Sequence, residues 1–191
     1  MSLTIDDLKK ELDKESLSRV LNKYILGGDP ICFPSNKNLI FALKENISTY
    51  FDIHPKMIEI VGSAKLGISL SEDRFGGRYN KNSDIDMAVV SIELFDMAWN
   101  ELMKLDSQFY TLKDKDRQFL KDCSNDIPDG FISPDKLPEK CDFRKKWWKI
   151  FSDLSNKKEF EFRKIRGRLF KNWFFVEKYY SIQLKKIKRS R

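Results

Sequence analysis

The sequence VGSAKLGISLSEDRFGGRYNKNSDIDMAVVS, residues 61–91, decides the fold. It begins at the end of a short apolar run, 57–61, which lies between Pro55 and Gly62 and predicts a buried strand. Because glycine has no side chain, the backbone at Gly62 can approach a phosphate closely, and the Ser63 hydroxyl and nearby amides can donate to phosphate oxygens. The Gly62-Ser63 turn is therefore the first candidate binding element.

A second strand is predicted where apolar and polar residues alternate in DIDMAVVSI, 84–92. Asp84 and Asp86 are two residues apart, so the pleat places both carboxylates on one face. Two such carboxylates repel each other unless a cation lies between them, and magnesium takes one or two carboxylates together with phosphate oxygens. An isolated Asp-x-Asp pair is also typical of a solvated turn. The preceding Gly62-Ser63 turn favours a magnesium or manganese site.

Taken together, the two motifs resemble the signature of the DNA polymerase β-like nucleotidyltransferase superfamily. In that signature a hydrophobic-Gly-Ser turn and a helix precede Ser-Asp-(Ile/Val)-Asp and a hydrophobic strand. The matching positions are Val61, Gly62, Ser63, Gly67, Ser83, Asp84, Ile85, Asp86 and Val89. The resemblance implies an α+β fold with a polymerase β-like nucleotidyltransferase core, a small mixed sheet with helices, flanked by N- and C-terminal helices.

The resemblance also implies roles for individual residues. Gly62 and Ser63 would grip the triphosphate of a nucleoside triphosphate substrate, and Ser83 belongs to the same nucleotide-binding set. Asp84 and Asp86 would be catalytic metal ligands, holding the Mg²⁺ or Mn²⁺ ions that assist attack on the α-phosphate. In that chemistry one ion activates the attacking hydroxyl, and the other neutralises the departing pyrophosphate.

The stretch between Ser63 and Asp84 is longer than in the smallest members of that superfamily, and it contains both cations and glycines. It can form a flap over the triphosphate, with Lys65, Arg74 or Arg78 as cationic contacts. The same charges are also typical of a solvated loop. Both interpretations stay open, and Lys65 is retained as a candidate nucleotide contact.

A third carboxylate on a later strand normally completes the metal site in that superfamily. The candidates here are Glu159 and Glu161 in KKEFEFRKIR, 157–166, where glutamate alternates with phenylalanine. This alternation predicts a strand with both glutamates on one face, and Glu161 is the candidate third catalytic residue. A helix start with surface charges fits the pattern equally well. In that case the site binds nucleotide and metal but turns over slowly or not at all.

The rest of the chain is predicted to be scaffold. We expect one domain over 1–191, with N-terminal helices in 1–55, the core in 56–165 and a basic, aromatic C-terminal helix in 166–191. A cluster of Asp, Gly, Ser and Pro predicts an irregular segment over 123–138. Apolar residues spaced by three or four predict helices over 5–26, 35–51, 95–105, 108–121, 143–154 and 170–187.

Composition narrows the class of protein. The three cysteines are widely spaced and lack the Cys/His pairing of a zinc site, and no apolar run is long enough to cross a bilayer. We therefore expect a cytoplasmic protein with no membrane partner. The net charge of +7 favours polyanionic partners. Its cations concentrate beside aromatic residues near the C-terminus, which predicts either a nucleic-acid surface or a packed helix with a basic outer face.

These features are consistent with three functions from different classes. The first is a metal-dependent nucleotidyltransferase that acts on an unidentified acceptor, nucleic acid or protein; analogy with small members of the superfamily suggests antiphage defence or a toxin–antitoxin pair with a partner encoded nearby. The second is a module that binds nucleotide, nucleic acid or a partner protein without catalysis, and a third is a structural, antitoxin-like subunit. An acidic residue facing Asp84 and Asp86 across the sheet would favour the enzyme. An apolar or basic residue there would favour the binder.

Overall fold

The computed structural model describes residues 3–34 and 36–189. The strands β1 Ile58–Val61, β2 Ile85–Val90, β3 Phe131–Ile132 and β4 Ile165–Phe170 form one sheet in the order β1-β2-β4-β3. β1 is antiparallel to β2, β2 is parallel to β4, and β3 is antiparallel to β4. The predicted α+β class with a small mixed sheet is confirmed.

Helices cover both faces of this sheet. They are α1 Ile5–Lys14, α2 Leu17–Leu21 with a wider π-type turn after it, α3 Lys37–Phe51, α4 Ser63–Leu66, α5 Ile92–Asp106, α6 Asp114–Asp126, α7 Asp142–Ser155 and α8 Trp173–Arg189. α1, α2 and α8 pack on the face that carries Val61 and Ala88, whereas α3, α5, α6 and α7 pack on the face that carries Ile60 and Met87. No helix of residues 3–34 and 36–189 is long and apolar enough to cross a lipid bilayer.

β4 presents very different residues to the two faces. On the α7 side, a Cβ at Gly167 would lie 2.3 Å from Phe151 Cζ and 2.5 Å from Trp147 Cζ2, so only glycine leaves room for these two rings. On the α8 side, Arg166 and Arg168 project from the same strand, because successive strand residues alternate between faces. The strand therefore packs closely against buried aromatics while carrying two cations on its other side.

Two N-terminal helix boundaries differ from the sequence-based prediction. The helix predicted over 5–26 is divided at Ser16, whose hydroxyl accepts a hydrogen bond from the Arg19 amide and caps α2. The helix predicted to begin at Ser35 begins after Asn36, whose side chain accepts a hydrogen bond from the first turn of α3. Ser35 itself lies outside the described residues.

The middle of the chain also differs in its boundaries. The helix predicted over 95–105 starts earlier, because the Ser91 hydroxyl accepts a hydrogen bond from the Leu94 amide and caps α5. The helix predicted over 108–121 lies further along, as α6, whose acidic first turn suits the positive end of a helix. The segment 123–138, predicted to be irregular, contains the end of α6 and the short edge strand β3.

The largest difference lies near the C-terminus. Residues 165–170 form β4, although the prediction placed the boundary of a C-terminal helix, 166–191, within them. The helix begins only at Trp173. Tyr180 is buried as a packed aromatic stripe predicts, but Phe174 is 65% exposed, so the stripe packs only in part.

Candidate functional site

A polar cleft of about 410 Å³ opens on the face of the sheet that α8 partly covers. β2 and β4 line it, together with the Gly62-Ser63 turn, residues 69–74, the turn at 133–136 and part of α8. Small-molecule sites typically measure about 300–1,000 Å³. The cleft is therefore large enough for a small-molecule ligand. Its lining includes Gly62 and Ser63 from the first motif and Asp86 from the second.

Gly62 brings the first motif directly against the second. Its backbone has φ 65° and ψ −147°, a region that is essentially restricted to glycine. A Cβ at this position would lie 3.0 Å from Asp86 Oδ2. The sequence predicts close approach of Gly62 to a phosphate; in the structure, the missing side chain makes room for a carboxylate.

Of the described residues, Asp73, Asp86 and Asp135 give the cleft its negative charge, whereas Asp84 directly precedes β2 and is not among the residues that line the cleft. The Asp84 side chain is 19% exposed, and its Oδ2 lies 3.1 Å from Arg166 Nε. Asp86 lines the cleft. Burial raises the pKa of its carboxyl and the charge of Asp84 raises it further, against the attraction of Arg168 and Arg166. A cation bound between the two carboxylates would relieve their repulsion.

The residues beside Asp86 on the neighbouring strand are basic. In the parallel pairing of β2 with β4, Asp86 lies opposite Arg166. Arg166 and Arg168 consequently share the cleft with Asp86. The Arg168 guanidinium carbon lies 5.0 Å from the Phe131 ring centroid and 4.6 Å from that of Tyr179, so cation–π contacts hold it in place. The neighbouring strand thus presents arginine, and not a carboxylate, opposite Asp86.

The prediction of a strand that carries Glu159 and Glu161 on one face is wrong. Residues 158–160 form a 3-10 turn, and Glu161 and Phe162 follow with φ values of 57° and 54°. The Glu161 side chain is 67% exposed and lies 4.0 Å from Arg163 Nη1, while Glu159 is ion-paired with a neighbouring lysine. Neither glutamate is among the residues that line the described cleft.

Two predicted nucleotide contacts belong to the framework of the site. The Lys65 side chain is 2% exposed, and its Nζ donates to the Gly28 carbonyl at 2.8 Å and to Glu59 Oε1 at 3.1 Å. The Ser83 hydroxyl accepts a hydrogen bond from the Asn80 amide at 3.1 Å and closes the turn before β2. Lys65 is therefore engaged within the scaffold, and Ser83 shapes the turn that leads to the acidic pair.

The segment 68–78 forms a hairpin-like excursion beside the cleft, joined at its base by a bridge between Ile68 and Arg78. Arg74 lines the cleft, a position from which it could contact a ligand. Arg78 lines a second opening of about 580 Å³. This opening shares Ser63, Ser69, Asp73 and Arg74 with the cleft, so the two adjoin at the Gly-Ser turn and the excursion.

Sequence reasoning missed the cleft residues that lie outside 61–91. The turn at 133–136 and α8 contribute Ser133, Asp135, Lys136, Tyr179 and Gln183, and β4 contributes the two arginines. The alternation in IRGRLF, 165–170, is a period-two signal that could have located β4. No comparable local pattern marks the 133–136 turn, because its place in the cleft depends on long-range packing.

The donor set fits a single divalent ion. Asp84 and Asp86 supply two carboxylates, and magnesium completes such a set with water and phosphate oxygens. Within residues 3–34 and 36–189, no three Asp, Glu, His or Cys side chains lie close enough together to hold a metal ion by themselves. An ion held here would therefore take oxygen atoms from a ligand as well as from the pair.

Comparison with known proteins found no match for this chain. No protein-family model, no curated protein and no solved structure matches the chain. What the cleft binds is therefore inferred from its own residues.

Proposed function

We propose that this chain is a nucleotidyltransferase-fold module that binds a nucleoside triphosphate together with one divalent ion, and that it transfers the nucleotidyl group slowly or not at all. The observation that carries the proposal is the pairing of β2 with β4, which sets Arg166 opposite Asp86. A basic residue at this place favours a binding protein, since an enzyme of this type needs further negative charge there.

The charges around the cleft suit a polyphosphate that is bound through a metal ion. The cations that line it are Arg74, Lys136, Arg166 and Arg168. Arginine can hold a phosphate group by two parallel hydrogen bonds. Asp86 would repel a bare triphosphate, so a divalent ion is needed to join the carboxylate to the phosphate oxygens. The Ser63 hydroxyl and the backbone amides of its turn supply neutral donors.

Arginine does not replace a third carboxylate in the chemistry. Two-metal transfer requires one ion to activate the attacking hydroxyl and another to stabilise the leaving group. The guanidinium group is permanently charged, binds no cation and accepts no proton from a hydroxyl. Arg166 and Arg168 therefore strengthen phosphate binding but leave an acceptor hydroxyl without activation.

Binding and turnover measured on the same protein test this proposal. We expect Mn²⁺-dependent binding of a nucleoside triphosphate by calorimetry, lost in an Asp84→Ala, Asp86→Ala double variant, with radiolabel transferred to product or pyrophosphate slowly or not at all. Rapid transfer that disappears in the double variant would establish a transferase instead. A wild-type protein that binds no triphosphate at all would contradict both functions and leave the structural subunit.

Arg166→Ala is expected to separate metal binding from nucleotide binding. Removing the cation that pairs with Asp84 should strengthen Mn²⁺ binding by up to about fivefold, the scale of a partly exposed ion pair worth up to about 1 kcal/mol. Triphosphate binding should weaken by about tenfold or more, because a charged hydrogen bond worth about 1.5–3 kcal/mol is lost. Both affinities can be measured by calorimetry.

Lys149→Ala is the matched control for that experiment. It removes the same charge from the exposed side of α7, in the helix layer on the opposite face of the sheet. Neither affinity should change in this variant. If Arg166→Ala left triphosphate binding unchanged, Arg166 would be a partner of Asp84 alone and not a phosphate contact.

A transferase that depends on movement of the 133–136 turn is the second candidate function. Asp135 favours it, since this residue lines the same cleft as Asp86 but comes from a segment other than the adjacent strand. A shift of that turn upon nucleotide binding would bring a third carboxylate toward the pair. The turnover assay repeated with Asp135→Asn distinguishes this candidate, because only a transferase that uses Asp135 would lose its activity.

A further inference from the structure

Arg163 joins the start of β4 to the turn that precedes the acidic pair. Its side chain is 9% exposed, and its Nη2 donates to the Asn80 carbonyl at 2.7 Å and to the Ser83 carbonyl at 2.9 Å. These two carbonyls belong to the turn from which Asp84 emerges. One guanidinium group, 80 residues away along the chain, therefore holds both ends of that turn.

The surroundings of Arg163 carry an energetic cost. Its guanidinium carbon lies 5.0 Å from the Tyr79 ring centroid. Among the described residues, the Arg163 Nε and the Tyr79 hydroxyl are both buried without a hydrogen-bond partner. Burial also raises the pKa of the Tyr79 hydroxyl. Buried polar groups without partners destabilise a fold, so stability alone does not account for this arrangement.

The turn that delivers Arg163 is strained as well. Glu161 and Phe162 adopt φ values of 57° and 54°, which are unfavourable for residues other than glycine. The Phe162 side chain is 66% exposed, so burial of its ring does not offset the strain. The two left-handed residues reverse the chain immediately before Arg163 and direct its side chain inward.

A backbone hydrogen bond next to Arg163 also joins the start of β2 to the start of β4. The Ile85 amide donates to the Lys164 carbonyl at 2.8 Å, next to the two bonds made by Arg163. The starts of β2 and β4 are thus joined on both sides of Asp84. Strain and unpaired polar groups are typically retained where a functional group has to be held in place.

We propose that Arg163 is a positioning residue for the Asp84 and Asp86 pair: by holding the Asn80–Ser83 turn, it sets the place at which Asp84 meets a bound metal ion. Arg163 itself touches neither metal nor nucleotide. This inference rests on the proposed binding of a metal–triphosphate complex for its functional consequence, whereas the local effect on the turn is a property of the protein alone.

Two readouts on Arg163→Met and Arg163→Lys test the inference. Hydrogen exchange of the unliganded protein should become faster at the amides of residues 80–86 in Arg163→Met, with smaller changes elsewhere. The affinity for Mn²⁺ with ATP should fall by about tenfold, the lower end of the effect of removing residues that orient metal ligands. Arg163→Lys retains a cation and a donor for one carbonyl, and it should recover part of both effects.

Arg144→Met is the matched control, because Arg144 also donates to a main-chain carbonyl, that of Leu137, at 2.7 Å. It should leave both the exchange at 80–86 and the affinity unchanged. Unchanged exchange in Arg163→Met, or wild-type affinity despite faster exchange, would overturn the positioning role. Faster exchange in a protein whose wild type binds no Mn²⁺ with ATP would overturn the proposed function and leave the structural connection in place.

Discussion

In Asp86→Asn, metal-dependent triphosphate binding is expected to weaken about 100-fold, equivalent to about 2.7 kcal/mol, while the unliganded protein becomes more stable at neutral pH. Binding weakens because the amide is a poor ligand for a divalent ion and leaves Asp84 as the one remaining carboxylate of the pair. Stability rises because the wild-type carboxylate is buried beside another negative charge, which disfavours its ionised form.

The stability difference should depend on pH in a defined direction. The folded protein raises the pKa of Asp86 above its ordinary value of 3.8. The contribution of a group with a raised pKa is fully present below that ordinary value and is lost as the pH rises through the folded-state pKa. Thermal unfolding with EDTA present should therefore show similar stability for wild type and variant at the acid end, and a more stable variant at higher pH.

Asp84→Asn is the control for this pair of effects. Loss of the Asp84 charge removes a favourable ion pair with Arg166 as well as the repulsion of Asp86, so this variant should weaken metal binding while gaining less stability than Asp86→Asn. A loss of stability in Asp86→Asn at neutral pH would mean that the arginines hold the Asp86 charge favourably. Such a result would remove the reason to expect a cation at the pair.

Gly62→Ala is expected to damage both stability and binding. The backbone at Gly62 is nearly closed to other residues, and such strain costs about 1–3 kcal/mol. The new methyl group would lie 3.0 Å from Asp86 Oδ2, so the carboxylate has to shift away from the Gly-Ser turn. Denaturant unfolding should show the loss of stability, and calorimetry should show weaker binding of Mn²⁺ with ATP.

Gly28→Ala separates the two consequences. Gly28 also has a positive φ, 72°, but a Cβ there would meet its nearest neighbour, the Lys23 carbonyl oxygen, at an ordinary 3.6 Å. This variant should lose stability through backbone strain and keep its affinity. If Gly62→Ala lost no more affinity than Gly28→Ala, the contact between Gly62 and Asp86 would have no role in binding.

The two strands that carry the motifs could be predicted from the sequence because their signals are local. The run before Gly62 is apolar and bounded by turn residues, and the alternation after Asp84 sorts its neighbours between two faces. The residues around Glu161 alternate with the same period of two, but they do not form a strand. Phe160 is buried and Phe162 is exposed, so the chain turns between them instead of presenting one face.

β4 was not predicted from the sequence, and the reason is different. Its polar face consists of Arg166 and Arg168, and its apolar face is interrupted by Gly167, so the segment resembles a basic surface more than a strand in the middle of a sheet. The glycine is explained only by the rings of Trp147 and Phe151, which fill the place of its side chain. These rings belong to α7, the helix that precedes β4, and only the folded packing of that helix brings them against this glycine.

The sequence by itself determined the local chemistry: a glycine that permits close approach, two carboxylates on one strand face and an excess of positive charge. The tertiary structure decided what surrounds that pair. It placed Arg166 opposite Asp86, kept Glu161 out of the cleft and engaged Lys65 with Glu59. The physical reason is that the register of two strands far apart in sequence is set by burial across the whole core, which no short pattern encodes.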